Sequence, residues 1–134
     1  MSEKRWEQRF QNFQKAYLLL SEPFENRDID DFDDLEKSGI AQRFELAIEL
    51  AWKTLKDYLE DQKVELEKIT PKHIVRESFR AKIITNGDLW IDMLSDRNAL
   101  SHIYDQAVLD DVLIRVRQSY IPQMAELLTS LNDE

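Results

Sequence analysis

The chain has 134 residues, 34% of them charged, a formal net charge of -9 and no cysteine. That length suits a single domain spanning residues 1–134 with a core of its own, and the missing cysteine excludes disulfides and thiolate metal sites. The acidic balance repels a polyanion at long range, so any contact with nucleic acid has to be local.

Met1-Ser2-Glu3-Lys4-Arg5-Trp6 has no signal-peptide-like apolar run, and no stretch is apolar for the length of a membrane span. The expectation is a soluble cytoplasmic protein with no membrane partner. Hydrophobic spacing of the helical kind runs through most of the sequence, without sustained strand-type alternation, which predicts an all-α fold. Trp6, Phe10, Phe13, Tyr17 and Leu20 mark a first helix ending near Ser21-Glu22-Pro23, where proline disfavours continuation. Asn26 to Asp34 is an acidic connection; it lacks the glycine and terminal glutamate of a calcium loop and reads as solvated.

A long second helix is predicted from the Phe32–Ser38 region to about Gln62, with Ile40, Phe44, Ala47, Ala51, Leu55 and Tyr58 on one face. Gly39 near its start suggests close packing. Thr70-Pro71 is a helix start, since the threonine oxygen accepts from the next turn while proline suits the first helical position. This third helix should run to about Ile83 with Ile74, Val75, Phe79 and Ile83 inward. Lys72, Arg76 and Arg80, spaced by four, then form one basic stripe, either a solvated face or a contact for RNA.

Asn86-Gly87-Asp88 turns the chain into a fourth helix containing Leu89, Trp90, Met93 and Leu94. A last helix runs from Val108 to Leu131, with a kink expected at Pro122. Together these segments predict an up-and-down bundle of about five helices.

Chemistry concentrates in Arg97-Asn98-Ala99-Leu100-Ser101-His102-Ile103-Tyr104. Arginine presents a planar fork of donors to phosphate oxygens, and histidine exchanges protons near neutral pH. On an ideal helix Arg97 and His102 lie about 500° of turn apart, roughly 140° around the axis. One regular helical face therefore cannot bring both to one phosphate. Either the helix distorts before His102, or the side chains converge across a groove, or a second copy completes the site. Asn98 and His102, at spacing four, would share a face, and the amide could orient the imidazole. In a purely structural alternative, His102 is a satisfied interhelical histidine and Arg97 pairs with Asp92, Asp96 or another nearby carboxylate. His73 reads as a surface residue, and two isolated histidines without cysteine give no zinc site. With Gly39 and Gly87 the only glycines, the chain has no phosphate-cradling loop and is not itself a nucleotidyltransferase.

Arg97, Asn98, His102 and Tyr104 match the Arg-x4-His-x-Tyr motif of HEPN domains. Arg43-Phe44-Glu45, Glu49-Leu50-Ala51-Trp52-Lys53-Thr54-Leu55-Lys56, Thr70-Pro71, Arg76-Glu77, Trp90 and Asp96 through Asp105 closely resemble the branch called nucleotidyltransferase substrate-binding proteins, relatives of the HepT-like toxins. The Trp52 stretch identifies the branch without indicating chemistry. The resemblance implies a homodimer with a composite cleft that works with a minimal nucleotidyltransferase as a toxin and antitoxin-like pair. It also implies metal-independent endoribonuclease activity on single-stranded RNA, with Arg97, Asn98 and His102 catalytic and no cofactor. Tyr104 would be the acceptor of adenylyl groups placed by the partner, which silence the nuclease. The alternative is a non-catalytic subunit that docks on the nucleotidyltransferase and presents its substrate, which suits the acidic surface better.

Overall fold

A computed structural model describes residues 4–133. Met1, Ser2 and Glu3, the start of the segment read as free of a signal peptide, lie outside them, as does Glu134. Helices α1 (Arg5–Ser21), α2 (Asp34–Asp61), α3 (Pro71–Arg80) and α4 (Gly87–Ala99) are followed by helical backbone continuous from Gln106 to Asn132. That last rod comprises α5 (Gln106–Arg115), one π turn (Val116–Tyr120) and α6 (Ile121–Asn132). No β-strand occurs among the described residues, and the all-α bundle of five helical rods is as the periodicity predicts. Among the described residues no helix is long and apolar enough to cross a membrane.

The 28 residues of α2 reach about 42 Å at 1.5 Å per residue, and α1, α3, α4 and α5 all pack on this rod. The inward residues are those the spacing selects. Phe13, Leu20, Phe44, Ala47, Ala51 and Leu55 are buried, and so are Leu109, Leu113, Val116, Met124, Leu127 and Leu131. Trp6 meets Tyr58 edge to face at 5.0 Å and Phe44 stacks on Tyr120 at 5.6 Å, geometries that add to burial.

The acidic connection caps helices. Asp33 accepts from the Glu36 amide at 2.8 Å while Glu36 accepts from the Asp33 amide at 3.0 Å, a reciprocal capping box. Arg27 pairs with Glu36 at 2.7 Å and Arg117 with Asp28 at 2.8 Å. The Arg27 hydrogen bonds and the Asp33 amide hold the Glu36 carboxyl at about 2, against an ordinary 4.5. The stabilisation this supplies is complete above about pH 4.5 and is lost as pH falls toward about 2. Glu36→Gln should therefore be less stable than wild type at pH 7 and approach it at about pH 2.5, which urea midpoints at the two pH values will show. A gap of constant size would contradict this.

Three expectations are corrected. Gly39 lies inside α2, but a Cβ there would meet nothing within 4 Å, so close packing is not its reason. Helix α3 stops at Arg80 because Lys82 adopts φ 64° and the Ile83 amide donates to the Ser78 carbonyl at 3.0 Å, a C-terminal motif usually marked by glycine. Phe79 is 46% exposed and not in the core. At Pro122 the chain answers the missing amide and ring clash with the π turn immediately before α6.

Candidate functional site

The motif straddles a helix end. Helix α4 stops at Ala99, where the Leu100 amide closes onto the carbonyls of Asp96, Arg97 and Asn98. Leu100–His102 tightens into a 3-10 turn, Ile103 and Tyr104 form a turn, and Asp105 caps α5 by accepting from the Ala107 and Val108 amides. The helix does distort before the histidine, but the distortion does not bring His102 into the cavity that Arg97 lines. The face-sharing of Asn98 with His102 needs a regular helix and is not realised. His102 Nδ1 instead lies 2.7 Å from Tyr104 Oη, the rings meet edge to face at 5.6 Å, and both residues are exposed, Tyr104 by 80%.

Arg97 and Asn98 line a different feature, a cavity of about 240 Å³ bounded by α2, the start of α3 and α4. Glu49, Trp52, Lys72 and Ser95 share its wall, whereas His102 and Tyr104 do not. Arg97 Nη2 lies 3.4 Å from Glu49 Oε2, and Arg97 Nε is buried without a hydrogen-bond partner among the described residues. Trp52 Nε1 donates to Glu49 Oε2 at 3.1 Å, and Lys53 Nζ lies 3.2 Å from Glu49 Oε1. Burial pushes the Glu49 carboxyl up, but the Trp52 and Lys53 hydrogen bonds and the charges of Lys53 and Arg97 outweigh it and leave it below the ordinary range. Glu49 is thus an ionised counter-charge that holds Arg97 at the cavity wall. In the structural alternative Arg97 would pair with Asp92, Asp96 or another nearby carboxylate; the carboxylate it meets belongs to Glu49, on α2.

Asp96, next to the motif arginine, ties α4 to the last rod. Its carboxylate is nearly buried, accepts from Arg115 Nε at 2.7 Å and Nη2 at 2.9 Å, and also accepts from the Tyr120 hydroxyl. The Asp96 hydrogen bond raises the Arg115 guanidinium, while burial, reinforced by Asp96, raises the Tyr120 phenol. Arg115 therefore stays charged against the Asp96 carboxylate. On the basic stripe, Lys72 and Arg76 are exposed and carry no ion pair among the described residues, whereas Arg80 is tied to Glu77 at 2.8 Å.

Glu49 and Trp52 are cavity residues that the sequence does not mark as such. Their signal is the conspicuous Glu49–Lys56 stretch, which indicates kinship only. Asp96, adjacent to the motif arginine, has no visible partner in the sequence because Arg115 and Tyr120 lie 19 and 24 residues away.

A model of the family described as nucleotidyltransferase substrate binding protein like matches residues 8–133. The chain belongs to that family. A Haemophilus influenzae relative described as a probable ribonuclease HepT is 33% identical over 87 residues, 58% of this chain and 60% of that protein. The chain thus spans about three fifths of that curated relative. A crystal structure from Thermus thermophilus superposes with a TM-score of 0.78 at 26% identity, covering 89% of this chain and 98% of its own. A Haemophilus influenzae structure said to reveal the fold of a substrate binding domain of a nucleotidyltransferase gives 0.67 at 24% identity, covering 95% and 96%. That last likeness speaks for the fold alone. For this member of the nucleotidyltransferase substrate-binding family, kinship and bundle agree with what the motif and the Trp52 stretch imply.

Proposed function

We propose that the chain is a HepT-like toxin, a metal-independent endoribonuclease that acts as a homodimer and is neutralised by a minimal nucleotidyltransferase through adenylylation of Tyr104. The observation that carries this is the solvent-facing hydrogen bond between His102 Nδ1 and Tyr104 Oη at 2.7 Å. A phenol can donate or accept, so it supports either neutral tautomer of the imidazole. With Nδ1 protonated and bonded to the phenol oxygen, the free Nε2 lone pair can take the proton of a ribose 2'-hydroxyl. That oxygen then attacks the adjacent phosphorus, a 2',3'-cyclic phosphate forms as the bond to the 5'-oxygen breaks, and the leaving oxygen takes a proton from water while the imidazolium returns its own to solvent. Arg97 stabilises the charge on the phosphate in flight and Asn98 positions it. Because Arg97 and Asn98 line a cavity that His102 does not, a second copy bringing its own His102 toward that cavity would complete the site.

The same hydrogen bond accounts for control. Attack of Tyr104 Oη on the α-phosphorus of ATP expels pyrophosphate and turns the phenol into a phosphodiester. Its proton passes to a base of the partner enzyme. The hydroxyl that braced His102 is lost and an anion takes its place. Incubation of purified protein with single-stranded RNA in EDTA should give fragments ending in 2',3'-cyclic phosphate. Adding the nucleotidyltransferase and ATP should raise the intact mass by adenylyl units and stop cleavage. Absence of cutting in clean preparations would overturn the toxin assignment. A second role, a non-catalytic subunit that presents substrate to the nucleotidyltransferase, is favoured by the separation of His102 from the Arg97 cavity, and is what intact RNA together with a stable complex would support.

A further inference from the structure

A second cavity, of about 300 Å³, lies between α3 and α4 and shares Lys72 with the one lined by Arg97. Its wall includes Arg76, Phe79, Gly87, Asp88 and Ile91. Phe79 is the unusual member, a half-exposed aromatic that the helical pattern assigns to the core. A Cβ at Gly87 would come 3.0 Å from Phe79 Cδ1 and 3.1 Å from Cγ, so glycine lets this ring lie close against the first turn of α4, where any larger residue would press on it. Lys72 and Arg76 stand one turn apart on the same groove, about 6 Å along the axis, exposed and without ion pairs among the described residues. Asp88 is the one carboxylate among the described residues of the wall against these two cations. On a chain of net charge -9 this is a local basic groove furnished with an aromatic.

Cations that track a backbone beside an aromatic open to stacking are what single-stranded nucleic acid requires. We infer that the groove between α3 and α4, from the Trp52 and Arg97 cavity past Lys72 and Arg76 to Phe79, is a track for single-stranded RNA in which Phe79 stacks on a base. Arg80, bound to Glu77, lies off the track, which narrows the basic stripe to two working cations. The inference rests on the reading of the chain as an RNA-acting protein and adds where the strand lies beyond the Arg97 cavity.

The probe is a fluorescein-labelled 2'-O-methyl RNA of mixed sequence, about 12 nucleotides long to span a typical single-strand site. It cannot be cut by 2'-hydroxyl attack, so binding is read independently of cleavage. Wild type should bind it, and Phe79→Leu, which keeps an apolar cover over Gly87, should bind about tenfold more weakly or worse. Phe79→Trp should restore binding. Arg76→Glu should weaken it and lower the salt dependence by roughly one phosphate contact, and Asp88→Asn should strengthen it. Thermal melts check that each variant folds; should Phe79→Leu not fold, Arg76→Glu at an exposed position decides. Equal binding by wild type and the variants, or no binding by wild type, overturns the track. So does a Phe79→Leu chain that binds RNA normally but no longer co-elutes with the nucleotidyltransferase or with itself, because the face would then dock protein. Cleavage of unmodified RNA is scored in parallel. Tight binding without cutting keeps the track and removes the nuclease, and cutting without dependence on Phe79 does the reverse.

Discussion

Replacing His102 with alanine should lower single-turnover cleavage of single-stranded RNA by about 10²–10⁴-fold, the usual contribution of a positioned proton-transfer group, while leaving the melting temperature unchanged. No loss of stability is expected because His102 is exposed and its hydrogen bond goes to an exposed Tyr104. Tyr104→Phe separates the two roles of the phenol. It removes one neutral hydrogen bond to the imidazole, worth about 0.5–1.5 kcal/mol, so cleavage should fall by about tenfold at most. Yet it deletes the oxygen that would accept adenylate. A Tyr104→Phe chain should therefore keep cutting in the presence of nucleotidyltransferase and ATP, and cells expressing both proteins should stay arrested. Equal cleavage by wild type and His102→Ala would show that another group moves the proton. A Tyr104→Phe chain silenced by its partner would move the modification elsewhere.

The bundle is legible in the sequence because its information is periodic. Phe44, Ala47, Ala51 and Leu55 state the inner face of α2 in any window of a dozen residues, and Thr70-Pro71 announces α3, whose cap is the Thr70 oxygen bonded to the His73 amide. What stays hidden is information carried by backbone conformation in residues that do not advertise it. Lys63 and Lys82 take left-handed φ values of 65° and 64° where a glycine is the customary stop signal, so spacing alone carries α3 on to Ile83. Phe79 then falls on the wrong side, because the tight approach of Gly87 to its ring is a tertiary fact. Of the site, the motif segment can be read from its residue types, and angles show that no regular helical face serves both Arg97 and His102, but the break before His102 is only one of three ways out that the angles leave open. The Glu49 counter-charge and the Asp96 anchor cannot, since each joins segments far apart in sequence.

Asp96→Ala should be the most damaging single change to the fold near the motif. Asp96 is 9% exposed, and its carboxylate accepts hydrogen bonds from Arg115, through Nε and Nη2, and from Tyr120. Its removal strands the buried Tyr120 hydroxyl and the inner side of a guanidinium. An unsatisfied buried polar group costs about 1–3 kcal/mol. Arg115 can reach water, so the full penalty of breaking a buried pair does not apply, and a loss of about 2–3 kcal/mol is expected. For a chain of this length that is a fall in Tm of about 10 °C. Tyr120→Phe, which leaves both Arg115 bonds in place, should cost only about 1 kcal/mol. Because the two residues share one network, the double variant should be less destabilised than the sum of the singles, by about 0.5 kcal/mol or more. Urea denaturation of the four proteins measures that coupling, and strict additivity would contradict a shared network. Asp96→Asn adds a separate readout. Asp96 holds the α4 turn that carries Arg97, so in the folded Asp96→Asn chain RNA cleavage should fall in kcat more than it rises in KM. A stability loss with unchanged kcat would leave Asp96 an anchor of the bundle only.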